Sequence, residues 1–308
     1  MTVRPGSTPA RPPALPRVQL SRDHDRQAVA NKRRRGEWER IGRGASVAAS
    51  DRLDQRARAL ARIEAVHERL VTPHWFSHES AALLWGLPVW RTPGVTHVHQ
   101  RGRASARRDP SVRRHSARVD ATHLTTVAGL PVTDLVQTMV DCARTLRPLP
   151  GMVVGDAALR AGADRTMALA MLDELRGERG TARARAVIEL ADDGAESAGE
   201  TATRFIVLRA GLPRPQTQVM VETRLGAFWT DLGWEEWRAA LEYDGRAKYR
   251  TGEDLIAEKR RSDAIGEATW RMLRVTKEDI AAPPLLIARV MPLLPNGVRL
   301  VRRPLLLS

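Results

Sequence analysis

The sequence predicts an α+β chain, with helices and antiparallel strands occupying separate stretches. Three observations carry this expectation. Residues 217–243 contain three strand-like runs, TQVMVE, AFWTDLGW and WRAALEY, separated by Arg224-Leu225-Gly226 and Glu235-Glu236. Residues 152–210, which precede them, carry helical apolar periodicity over most of their length. The first half mixes short helical and strand patterns with segments rich in Pro, Gly and Arg.

At 308 residues the chain is long enough for more than one core. Its net charge of +14 is unevenly spread. Residues 1–120 hold 24 Lys and Arg against 11 Asp and Glu, a net of +13; residues 121–308 hold 26 against 25, a net of +1. An excess of that kind is expected where a chain meets a polyanion. The single cysteine, Cys142, excludes an intramolecular disulfide and a cysteine-rich zinc cluster. It follows Val140-Asp141 in a helical apolar pattern and reads as a small core residue. The first 17 residues are rich in Pro and Arg and lack an apolar h-region, so they read as a disordered tail rather than a signal peptide. No apolar run approaches the ~20 residues of a transmembrane helix. The expectation is a cytoplasmic protein with no membrane partner.

After the tail of residues 1–20, residues 21–70 form a basic region. Ser21 to Lys32 reads as a short helix capped by Ser21, and Arg33-Arg34-Arg35-Gly36 turns into Glu37–Val47, anchored by Trp38 and Ile41. Ala57–Leu70 has helical spacing and is followed by Pro73. Residues 71–189 make a middle region. His78–Pro88 reads as a short helix ending at Gly86, and Thr96–Gln100 (THVHQ) as a strand. Arg101 to Arg118 carries seven arginines without apolar periodicity, a basic loop or edge hairpin. Arg101, Arg103, Arg107, Arg108, Arg113 and Arg114 are its candidates for guanidinium–phosphate contacts; a solvated loop is the plainer reading. Among His67, His74, His78, His97, His99, His115 and His123, none shows an HxxxH pair on an amphipathic helix or a matching carboxylate motif. His97 and His99 are therefore expected to flank a sheet face rather than to bind zinc. Met152–Leu175 and Thr181–Ala191 read as a helical bridge packed on the C-terminal sheet.

Residues 190–308 carry the chemistry. Glu196–Ala210 reads as a helix ending at Gly211, with Glu196, Glu200 and Arg204 along one face. Asp231 interrupts an apolar strand, where a carboxylate is costly unless exposed or paired. Glu242 ends the next strand and shares a face with Asp244 if that strand runs on regularly. Whether Asp231 joins that face depends on hairpin register. Lys248 follows, and then Glu258-Lys259-Arg260-Arg261. Carboxylates on adjacent strand ends can converge on a hard cation such as Mg²⁺. A nearby lysine can orient water or neutralise a phosphate, and Lys259, Arg260 and Arg261 can hold a nucleic-acid backbone. The plainer readings are helix charges pairing with Arg204, a turn at Asp244-Gly245, and a solvated face at 259–261. Pro283–Leu294 adds a last helix, with its prolines in the first turn.

The strings ESAGETATR, GLPRPQTQV, DLGW, EYDGRAKY, EKRRSD and WRMLRVT occur in this order over residues 190–293. Together they resemble a domain related to very-short-patch repair endonucleases, within the PD-(D/E)xK nuclease superfamily. The resemblance implies a restriction-endonuclease-like C-terminal domain in which Asp231 and Glu242 ligate Mg²⁺ (or Mn²⁺) and Glu200 is the helix glutamate. The lysine expected two residues after the glutamate is replaced by Asp244, and Lys248 stands a few residues further on. At the N-terminus, a basic helix followed by Trp38-x-Arg40-x-x-Arg43-Gly44 is similar to the second half of the winged helix in AbiEi-like type IV antitoxins. The first helices of that domain are replaced by the Pro-rich tail, which implies a partial, degraded winged-helix-like region. HESAALLWGLP and LPVTDLVQTMVD extend the resemblance over the mixed middle region. The function implied is a Mg²⁺-dependent DNA endonuclease. The alternative is a non-cleaving DNA-binding regulator or type IV antitoxin with a cognate toxin. An RNA target is equally compatible with phosphate binding.

Overall fold

The computed structural model describes residues 11–100, 109–116, 119–245 and 252–307. Arg101, Arg103, Arg107, Arg108 and Lys248 lie outside the described residues. The chain is a mixed α+β protein with three sheets among the described residues.

Near the N-terminus, β1 (Gln19–Leu20), α1 (Arg26–Arg34), β2 (Trp38–Gly42), β3 (Ala45–Ala48) and α2 (Gln55–His67) make an antiparallel sheet of order β1-β3-β2 with two helices. Helix α1 starts later than Ser21. The Asp25 carboxylate caps it, accepting from Gln27 and Ala28 N–H at 2.9 and 3.0 Å, while Ser21 opens a single 3₁₀ turn. Ile41, Ala45 and Val47 of the hairpin pack on Ala61 and Ala65 of α2.

The middle region contains β4 (His74–Phe76), α3 (His78–Leu84), β5 (Thr96–Gln100), β6 (Val112–His115), β7 (Leu124–Val127), β8 (Leu130–Thr133) and α4 (Leu135–Thr145). Its sheet has the order β6-β5-β4-β8-β7, with β5 parallel to β6 and antiparallel to β4. Phe76, Val98, Val112 and Val132 of the strands join Leu83 and Leu84 of α3 and Leu60 and Ile63 of α2 in one cluster.

Helices α5 (Pro148–Arg160), α6 (Arg165–Glu174), α7 (Thr181–Leu190) and α8 (Ala198–Arg209) lead to the third sheet. That sheet is built from β9 (Gln216–Thr223), β10 (Gly226–Trp234), β11 (Ala239–Tyr243) and β12 (Arg271–Val275), in the order β12-β11-β10-β9. The first three strands are antiparallel neighbours; β12 returns parallel to β11 through α9 (Gly252–Glu267). Strand β11 is shorter than the pattern WRAALEY suggests. Glu235–Trp237 forms a 3₁₀ turn and Arg238 has a left-handed φ of 46°, so pairing starts at Ala239. Helices α10 (Lys277–Ala281) and α11 (Pro283–Val290) follow.

The helical bridge reaches this sheet through α8, on which α5 packs and which itself packs on β10 and β11. One core cluster links Met139 and Cys142 of α4, Met152 of α5, Val187 of α7 and Val207 of α8 to Leu232, Trp234 and Leu241 of the strands. No helix among the described residues is long and apolar enough to cross a membrane.

Candidate functional site

Strands β10 and β11 part where the carboxylates stand. Their ladder runs through Trp234–Ala239, Gly233–Ala240 and Leu232–Leu241. Continuing the register by one residue sets Asp231 across from Glu242, and residues opposed in an antiparallel pair share a face. Beyond Leu232–Leu241, side chains take over the backbone's hydrogen bonds. Tyr243 N–H donates to Asp231 Oδ2 at 2.7 Å, and Arg261 Nη2 donates to the Trp229 carbonyl at 2.9 Å. The same arginine, on α9, donates from Nη1 to Glu242 Oε2 at 3.0 Å and from Nη2 to Oε1. Its guanidinium lies 5.5 Å from the Phe228 ring centre. The pair is mostly shielded, with side-chain exposures of 20% and 14%, so this two-point contact is stronger than a surface pair.

Glu200 takes a different place. It is buried in the first turn of α8, where its carboxylate accepts from Glu196 N–H at 2.7 Å and Ser197 Oγ accepts from its own N–H at 3.1 Å. These contacts satisfy helix-end donors much as a capping box does. One residue earlier, a Cβ on Gly199 would fall 2.1 Å from the Tyr243 ring. Tyr243 thus faces α8, while Glu242, its neighbour along the strand, faces α9. Arg204 does not pair with Glu196 or Glu200 through an ion pair on the helix face. It turns into the core, where Nη2 donates to both Asp156 oxygens at 2.6 and 2.8 Å and Nη1 to the Leu190 carbonyl at 2.6 Å.

Asp244 donates its N–H to the Val275 carbonyl at 2.8 Å, and its Oδ1 is buried with no hydrogen-bond partner among the described residues. Among those residues, no three of Glu200, Asp231, Glu242 and Asp244 bring ligand atoms within 4.8 Å of one another. Lys259 and Arg260 are exposed on α9. Arg113 is exposed on β6, and Arg114 Nε there donates to Gln100 Oε1 at 3.0 Å.

A second constellation forms in the middle region. His97 and His99 point to one side of β5, and the parallel register pairs His99 with His115 of β6. Facing them are His78, at the start of α3, and Asp141 of α4. His99 Nε2 lies 3.1 Å and His78 Nδ1 3.5 Å from Asp141 Oδ2, and His97 Nδ1 lies 3.0 Å from His115 Nε2. Gln137 Nε2 donates to the other Asp141 oxygen at 2.8 Å. His78, His97, His99 and Asp141 are all buried. Desolvation pushes the imidazoles of His78 and His115 down to about 4 and that of His97 to about 3. Burial works against the charge on Asp141, but the facing His78, the hydrogen bond from His99 and that from Gln137 outweigh it and hold its pKa low. The spacing His-x-His on a strand is the only part of this grouping visible in the sequence. His78, His115 and Asp141 come from three other elements.

No family model matches the chain, and no solved structure matches it. It is similar to the uncharacterized proteins MT2308 and Rv2248 of Mycobacterium tuberculosis, strains CDC 1551 / Oshkosh and ATCC 25618 / H37Rv. Each is 29% identical over 207 residues, spanning 67% of this chain and 75% of the relative.

Proposed function

We propose that the chain is a Mg²⁺-dependent DNA endonuclease whose C-terminal, restriction-endonuclease-like domain hydrolyses phosphodiester bonds at the β10–β11 fork. The observation that carries this reading is that Asp231 and Glu242 each stand one residue beyond the last paired residues, Leu232 and Leu241, just where the ladder opens. The element order α8-β9-β10-β11-α9-β12 supports the resemblance on which the roles rest. Asp231 and Glu242, with the buried Asp244 oxygen nearby in sequence, are hard oxygen donors of the kind Mg²⁺ or Mn²⁺ prefers. Asp231 and Glu242 would hold the ion, which lowers the pKa of a bound water and offsets charge on the phosphate. Glu200 fixes the first turn of α8, and through Gly199 that turn fixes Tyr243 and the strand end carrying Glu242. Arg261 now holds Glu242 and has a donor fork that equally matches a phosphate, so phosphate binding and release of Glu242 are linked. Lys259 and Arg260 extend this cationic face. Lys248 is assigned to the water or the scissile phosphate, and the segment from Arg101 to Arg114 to the DNA backbone.

One observation favours a second reading. Both Glu242 oxygens are engaged by Arg261, and Asp244 stands in place of the lysine. A regulator or type IV antitoxin that binds DNA without cutting it, with a cognate toxin as partner, would retain just such a neutralised site. Supercoiled plasmid and single-stranded DNA incubated with the full chain and Mg²⁺, Mn²⁺ or EDTA separate the two. Cleavage that EDTA abolishes supports the endonuclease. Uncut DNA that is nevertheless bound, with affinity falling steeply as salt rises, supports the regulator.

A further inference from the structure

The middle-region cluster takes no part in the fork chemistry, and it is unusual as a polar core. Four imidazoles and one carboxylate adjoin an apolar cluster containing Val98 and Val112. Each neutral imidazole has one donor and one acceptor nitrogen, and burial makes every unsatisfied one costly. His99 Nδ1 is such an atom, buried and without a hydrogen-bond partner among the described residues. His78 carries a second cost. Its φ is 53°, a left-handed conformation that a non-glycine residue adopts only where its surroundings impose it. That backbone turns the His78 ring onto His115, with ring centres 3.8 Å apart and planes 18° from parallel.

We propose that this cluster is a binding site for one borderline divalent transition-metal ion of the zinc class, with His78, His99 and Asp141 as ligands. Two triads already have ligand atoms within 4.8 Å of one another, His78/His97/His115 and His78/His99/Asp141, and they share His78. Two donors held 2.0–2.1 Å from a tetrahedral ion lie roughly 3.3 Å apart. The donor separations of 3.1 and 3.5 Å around Asp141 Oδ2 bracket that value. Imidazole-rich sets of this composition select zinc-like ions over Mg²⁺ or Ca²⁺.

His115 has another role. Stacked on His78, its ring plane cannot pass through an ion that lies in the plane of His78. It sits instead behind the ligand His78 and is itself held by His97, whose Nδ1 lies 3.0 Å from its Nε2. Gln137 steadies Asp141 in the same way. Three protein ligands leave the fourth position of the tetrahedron to water or a further donor. The ion ties β5 to α3 and α4, and edge strand β6, which carries Arg113 and Arg114, adjoins it through His115.

The test is titration of the full chain, stripped with EDTA and dialysed, first with Co²⁺ and then with Zn²⁺. The expected result is one Co²⁺ per chain with the intense visible bands of tetrahedral cobalt, displaced by Zn²⁺, and a Zn²⁺-dependent rise in Tm. Asp141→Asn should weaken binding by more than ~100-fold, and His115→Gln by about 10–100-fold, the range for a group behind a ligand. Asp231→Asn should leave binding unchanged, which keeps this site distinct from the fork. Absence of cobalt bands and of any Zn²⁺ effect on Tm in the parent overturns the proposal whether or not the variants fold. So does parental affinity in both Asp141→Asn and His115→Gln, or loss of the ion in Asp231→Asn.

Discussion

Arg261 holds both oxygens of Glu242 while bonding the Trp229 carbonyl on the opposite strand, so a single guanidinium closes the mouth of the β10–β11 fork. Replacing it with methionine keeps much of the stem's packing and strands a shielded carboxylate and a carbonyl. Arg261→Met should lower stability by about 1–3 kcal/mol, the cost of polar groups left unpaired. The same change should strengthen Mn²⁺ binding by roughly ten-fold or more, because the ion no longer competes with a fixed cation. Thermal unfolding and calorimetric titration with Mn²⁺ read the two effects. Weaker Mn²⁺ binding in the variant would remove Glu242 from the proposed ligand set.

Asp231 is both a proposed ligand and the acceptor for Tyr243 N–H. Asp231→Asn retains an acceptor oxygen and removes the charge, so it separates the two roles better than alanine. The variant should unfold within a few degrees of the parent, bind DNA nearly as well and lose metal-dependent cleavage. Cleavage equal to the parent's would refute the catalytic assignment.

Asp244 in place of the expected lysine leaves two candidates for the cation, Lys248 and Lys259. Lys248→Ala should slow cleavage by about ten-fold to ten-thousand-fold, the span for losing a positioned acid–base or electrostatic group. Lys259→Ala, on the exposed face of α9, should have a smaller effect and act mainly on DNA affinity. Single-turnover rates at saturating DNA discriminate them. The reverse pattern would transfer the role to Lys259.

Arg204 and Asp156 are both fully buried, with exposures of 0% and 1%. Asp156 also accepts from Asp192 N–H at 2.8 Å and from the Thr201 hydroxyl at 2.9 Å. Asp156→Ala should destabilise the chain by about 3–5 kcal/mol, because it leaves an arginine uncompensated in the core. The double variant Asp156→Leu/Arg204→Met should recover much of that loss. Urea denaturation provides the comparison, and a double variant no better than the single would contradict the account.

Asp192 is held below its usual 3.8: burial pulls its pKa up, but the Thr217 hydroxyl, Gly194 N–H and the cations Arg204 and Arg214 outweigh burial. A carboxyl whose folded value lies below its unfolded one stabilises fully above the unfolded value, and the gain vanishes as pH falls through the folded value. Asp192→Asn should therefore lower Tm by a constant amount from pH 7 to about pH 5, and the gap should close below about pH 4. A gap that persisted undiminished at pH 3 would show that the side chain acts through shape rather than charge.

Much of the C-terminal half was legible because its signals are local. The alternation in TQVMVE and AFWTDLGW and the apolar spacing of Glu196–Ala210 each belong to one element, and the structure places strands and a helix there. Hairpin register is not local, and it alone ends the β10–β11 ladder at Leu232–Leu241, beside Asp231 and Glu242. Arg204 shows the same limit. Its spacing from Glu200 suggests a partner on its own helix, yet Asp156, 48 residues away, satisfies it. The histidine cluster was missed for a related reason. The expectation of a motif within one helix cannot see five residues brought together by β5, β6, α3 and α4. In the first turn of the chain's basic region, Asp25 rather than Ser21 caps the helix because its carboxylate reaches two N–H groups.

The core that runs from α4 to the last strands has a consequence for how such a chain can change over generations. The C-terminal sheet exchanged between genes as a cassette starting near residue 190 would arrive with a bare guanidinium and without the apolar core residues Met139, Met152 and Val187. The inheritable unit is larger, from α4 to the C-terminal helices. Recombination within it would be selected against even where the encoded strands and carboxylates were intact.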